Sequence, residues 1–73
     1  MRNHNSVNME IGRIMEQYTL NVKRVAALFG VSEATIRNWA RSGELPAIQV
    51  GSQYRFSNED VSEFIKSHKV QVS

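Results

Sequence analysis

Apolar residues recur along this chain with two different periods, and each change of period marks a new element. Val22, Val25, Ala26 and Phe29 fall at i, i+3, i+4 and i+7, one face of a short helix. Asn21 stands just before that stripe as an N-cap, and Gly30 just after it as a stop. Val31 leads to a second cap, Ser32, after which Ile36, Trp39 and Ala40 begin another helical stripe that Gly43 closes. Pro46 ends any helical continuation. The period then falls to two: Ile48-Gln49-Val50 and Tyr54-Arg55-Phe56 alternate around Gly51-Ser52, a hairpin signal of the type II′ kind. Ile48, Val50, Tyr54 and Phe56 are expected to face the helices, with Gln49 and Arg55 outward. Ser57 and Asp60 resemble a capping box, and Val61, Phe64 and Ile65 supply the buried stripe of a last helix.

The ends are less patterned. Residues 1–8 are polar and Asn-rich and read as a disordered tail. Ile11, Ile14, Met15 and Tyr18 recur at helical spacing, interrupted by Gly12. Residues 1–17 therefore read as a tail or a short leading helix packed on the domain, or else as residues upstream of an alternative translation start at Met9 or Met15, and these readings stay open. Tyr18-Thr19-Leu20 favours an extended conformation. The domain spans 18–68. Residues 69–73 form a tail that alternates around Val70 and Val72 and either frays or pairs with a neighbour's strand edge.

Two short helices joined by a tight Gly-containing turn are the layout of a helix-turn-helix, whose second helix enters the DNA major groove. With the hairpin behind it, the expected fold is mostly α with a small β-hairpin, a winged helix-turn-helix. The outward positions of the second helix are Glu33, Ala34, Arg37, Asn38 and Arg41. Arg37 suits guanine O6/N7 or a phosphate, and Asn38 suits adenine N6/N7. Arg41, Thr35 and the wing residue Arg55 complete the candidate DNA-binding set there. Lys23 and Arg24 near a helix N-terminus oppose its dipole, which points to phosphate contact. Glu33 either accepts from cytosine N4 or repels phosphate, and both readings stand. Trp39, at i+3 from Ile36, belongs to the core and not to a base stack.

Composition narrows the partners. Seventy-three residues make one domain with a small core, for which a 41% hydrophobic content suffices. There is no cysteine, hence no disulfide and no thiolate zinc site. The net charge of +2 argues weakly for nucleic acid, but its distribution says more. Residues 20–57 carry a net +3 and residues 58–66 a net −2, as expected when one face meets phosphates. No apolar run reaches membrane-spanning length and no signal peptide opens the chain, so a cytoplasmic location is expected and no membrane partner. His4 and His68 are isolated, the glycines lack phosphate-loop spacing, and no catalytic set is present. The expectation is a non-enzyme without metal or cofactor.

Residues 18–66 resemble the winged-helix DNA-binding domains shared by phage excisionases and MerR-type regulators. The resemblance rests on VKRVAALFGVSEATIRNW, SGELPAIQVG and YRFSNEDVSEFI taken in that order. It implies that the helix ending near Arg41 lies in the major groove and that Arg55 meets the minor groove or backbone. The neutral wing tip, Ser52 and Gln53, departs from the often basic tip of such domains. The chain also lacks the dimerising helix and effector domain of MerR-type regulators, which favours the excisionase side. The expected function is an excisionase that binds and bends attachment-site DNA in a bacterial host cell, with an integrase as protein partner. A small transcriptional repressor and a protein-interaction adaptor without DNA are the alternatives. One recognition helix and one wing grip few phosphates, so self-association on DNA is expected. Its candidate faces are Lys23 and Arg24 against the acidic helix at Glu59, arranged head to tail.

Overall fold

The computed structural model describes residues 4–70. Seven elements follow in order: α1 His4–Gln17, β1 Leu20–Asn21, α2 Val22–Phe29, α3 Glu33–Ser42, β2 Ile48–Val50, β3 Gln53–Phe56 and α4 Asn58–Ser67. The expectations for residues 1–3 and 71–73 lie outside the described residues.

Side-chain caps begin three of the helices. Asn21 Oδ1 accepts from the Arg24 backbone N–H at 2.8 Å, and Ser32 Oγ accepts from Thr35 N–H at 3.1 Å. Ser57 Oγ accepts from Asp60 N–H at 3.0 Å. The Asp60 carboxylate makes no return bond among the described residues, so only half of the expected capping box forms. Gly30 and Gly43 end α2 and α3 at φ 70° and 86°, left-handed conformations that a Cβ disfavours.

The core joins α2, α3, the sheet and α4. Val25, Ile36, Leu45 and Phe56 are fully enclosed, with Val22, Ala26, Val61 and Phe64 beside them. Leu45, absent from the helical stripes, is drawn in as its N–H bonds the Trp39 carbonyl at 3.2 Å. Phe29 and Trp39 pack edge-to-face at 6.0 Å, and Phe64 lies 5.0 Å from Trp39. Trp39 is thus half-buried against two aromatic rings.

Three sequence-based expectations need correction. The first concerns the hairpin faces. The strands run antiparallel in the order β1-β3-β2, with Ile48 opposite Arg55, Gln49 opposite Tyr54 and Val50 opposite Gln53. Directly opposed residues share a face of the sheet. Ile48 and Val50 therefore lie with Arg55 and Gln53, on the face away from Phe56, and Val50 is exposed. Tyr54 and Phe56 do face the helices, joined by Leu20 of β1, which is opposite Phe56. The turn itself fits the type II′ expectation: Gly51 has φ 62°, and no non-glycine among the described residues has positive φ. The extended segment at Leu20 becomes a third strand, which the hairpin pattern did not contain.

The second correction is Ile65, which is 53% exposed. The buried positions of α4 are Val61 and Phe64, and His68, the exposed C-cap residue, lays its ring on Phe64 at 4.0 Å. The third concerns the N-terminus. Residues 4–8 belong to helix α1 instead of a disordered tail, and α1 does not pack on the domain. Among the described residues, no α1 side chain belongs to the core that α2, α3, the sheet and α4 share. Ile11, Ile14 and Met15 consequently stay exposed, and the molecule measures 59 × 29 × 19 Å.

Candidate nucleic-acid interface

Helix α3 separates its chemistry by face. Ile36 points into the core, while Glu33, Ala34, Arg37, Asn38 and Arg41 are exposed together on the other side. Glu33, Arg37 and Arg41 stand four residues apart, and Ala34 and Asn38 form the adjoining row, so the five make one continuous surface. Its polar groups are already paired with each other. Arg37 Nη2 donates to Glu33 Oε1 at 3.0 Å, and Arg41 Nη1 donates to Asn38 Oδ1 at 3.1 Å. Both pairs are exposed, so they exchange readily for other partners. Asn38 keeps its amide donors and one lone pair of Oδ1 for an adenine edge.

Arg37 also lines a polar cleft between α3, the start of α2 and the wing. The other lining residues are Asn21, Val22, Lys23, Ser52, Gln53 and Tyr54, around a volume of about 200 Å³. Lys23 and Arg37 thereby meet across the gap between the recognition helix and the hairpin tip. Arg24 is exposed on α2 but does not line the cleft. Asn21 and Tyr54 were not nominated from the sequence. Their register, Asn21 opposite Arg55 and Tyr54 next to Arg55, is the signal that would have found them, once β1 is recognised as a strand.

Two nominated residues sit differently from the rest. Thr35 is half-buried, and its hydroxyl lies 2.9 Å from Ser32 Oγ within the helix cap. Arg55 occupies the central strand between Asn21 and Ile48, which cover its stem; it is half-buried and its Nε has no hydrogen-bond partner. Arg55 thus approaches any ligand from the outer sheet face and does not itself line the cleft. No group of three or more metal-ligating side chains occurs among the described residues, and none of their helices is long and apolar enough to cross a membrane.

Two helices at a tight turn, a three-stranded sheet ending in a hairpin, and a cationic cleft between them define a winged helix-turn-helix domain. Residues 19–69 match the helix-turn-helix domain family, and the chain belongs to it. Over 52 residues it is 44% identical to the transcriptional repressor DcmR of Methylorubrum extorquens, a match covering 68% of this chain and 20% of the repressor. Over 56 residues it is 34% identical to Rv0500A of Mycobacterium tuberculosis, provisionally named a DNA-binding protein, covering 77% of this chain and 72% of that protein. No solved structure gives a significant match.

Proposed function

We propose that this chain binds double-stranded DNA, with α3 in the major groove and the hairpin against the neighbouring minor groove or backbone. The observation that carries this reading is the single exposed face of Glu33, Ala34, Arg37, Asn38 and Arg41, opening beside a cleft that holds Lys23. An α-helix fits the major groove, and this face offers Arg and Asn to base edges. Lys23, Arg24 and Arg55 serve as phosphate contacts that fix the register. Thr35 serves indirectly, by holding the cap at the start of α3.

The role on DNA has two readings, each with its own support. The motifs shared with excisionases favour an architectural protein that bends attachment-site DNA in the bacterial cytoplasm and guides an integrase. The 44% identity to a transcriptional repressor favours promoter occupancy. In both, the molecules touch when bound side by side, since one helix and one wing grip few phosphates. Footprinting on the DNA surrounding this chain's own coding region tests the readings. Protection of repeated sites at a recombination junction supports the first, and protection over a promoter supports the second. Absence of any footprint favours a protein adaptor over both.

A further inference from the structure

Five of the seven large exposed apolar side chains among the described residues gather on two surfaces, and no described residue covers either. The first is the α1 stripe, with Ile11, Ile14 and Met15 at 52%, 43% and 43% exposure. The second is a groove of about 490 Å³ whose floor is Phe29, Trp39 and Phe64 and whose walls are Leu28 and Ile65. Leu28 and Ile65 are 57% and 53% exposed, so the groove is open to a visitor. Glu44 and His68 border it.

The geometry of attachment separates the two within one copy. α1 joins the domain through Tyr18 and Thr19 alone, and the next residues, Leu20 and Asn21, are fixed by pairing with Phe56 and Arg55. α1 therefore leaves at the sheet end of α2, whereas Leu28 and Phe29 line the groove at the opposite end of α2. It extends along the long axis of the molecule instead of folding back. Net charge matches the two surfaces to each other. Glu10 and Glu16 outweigh Arg13 along α1, whereas Arg24, four residues before Leu28, and Lys69, four after Ile65, outweigh Glu44 around the groove.

We infer that two copies of this chain pair by laying α1 of each into the aromatic groove of the other. A reciprocal exchange covers both surfaces of both copies and closes the assembly. It also leaves the outward face of α3 free, since Trp39 lies roughly 160° around α3 from Arg37 at 100° per residue. The contact differs from the charged head-to-tail one suggested by the sequence, and it forms without DNA. Its test is therefore independent of the DNA-binding reading.

Sedimentation equilibrium without DNA, on the full chain over a range of concentrations, reads it directly. Wild type shifts toward twice the 8.3 kDa chain mass as concentration rises. Ile14→Asp and Ile65→Asp each remain at single-chain mass. An equimolar mixture of the two regains heterodimers at higher concentration, through its one intact helix–groove contact. Both side chains are exposed, so both variants keep the wild-type melting transition. If either fails to fold, Met15→Glu and Leu28→Glu take their places with the same reading. Three results overturn the inference. One is a wild type of single-chain mass throughout; another is dimers lost in Ile14→Asp but kept in Ile65→Asp, which means helix pairs with helix. The third is a mixture that regains nothing.

Discussion

Arg37 and Glu33 neutralise each other one turn apart on α3, guanidinium to carboxylate at 3.0 Å, on the face turned toward solvent. This pair holds the cation that also lines the cleft and offsets its charge, while engaging only one of its guanidinium nitrogens. An exposed i,i+4 pair is worth only about 0.3–0.5 kcal/mol. Glu33→Gln should therefore tighten duplex binding by roughly twofold or more, because it frees Arg37 and removes a charge that repels phosphate. Competition binding against unrelated duplex measures it. Weaker binding by the variant to one particular sequence would instead identify Glu33 as a reader of cytosine.

Arg37→Ala should weaken binding to the preferred site by about 1–3 kcal/mol and relax base preference there. Arg55→Ala, on the outer sheet face, should weaken binding evenly across sequences. Selection of bound duplexes from a random pool distinguishes the two patterns. Equal enrichment by both variants and wild type would contradict the assignment.

Side by side on tandem sites, the molecules should bind more tightly per site than on one site. Gel-shift titration on duplexes carrying one, two and three copies of the site gives the measurement. Equal per-site affinity would remove self-association from the account.

Stability should track enclosure. Phe56→Ala empties a fully buried position shared by the sheet and helices and should cost about 3–5 kcal/mol. Trp39→Ala, at a half-buried position, should cost less. Gly43→Ala forces a Cβ into φ 86° and should cost on the order of 1–2 kcal/mol. Gly12→Ala meets no neighbouring atom and lies inside α1, so it should raise helicity without penalty. Thermal melts followed by circular dichroism rank all four.

What the sequence revealed was local. The Asn21, Ser32 and Ser57 caps and the Gly30 and Gly43 stops involve partners within about one helical turn, so spacing alone locates α2, α3 and the start of α4. The hairpin faces were also legible, although simple alternation misreads them. A two-residue loop at Gly51-Ser52 pairs Val50 with Gln53, which puts Val50 and Tyr54 on opposite faces. Other features depend on residues far apart in sequence. Leu20 becomes a strand only because Phe56 is there to pair with it, and Leu45 is buried only because α3 ends where it does. Ile65 continues the apolar stripe of α4 by spacing but stays 53% exposed at the edge of the aromatic groove, which only the packing of α2, α3 and α4 creates. In the candidate interface, exposure of Arg37, Asn38 and Arg41 followed from helical period. Their pairing with Glu33 and with each other, and the cleft shared with Lys23 and Tyr54, required the fold.

The central claim is that α3 and the wing grip duplex DNA through cations on one face, and salt dependence tests it most directly. The affinity of the wild type and of an Arg37→Ala/Arg41→Ala variant for one duplex should be measured across a series of sodium chloride concentrations. The account predicts that log affinity falls linearly with log salt for wild type, and that the variant binds more weakly with a slope shallower by about one to two. Absence of duplex binding by wild type at low salt, or identical affinity and slope for the two proteins, would contradict it.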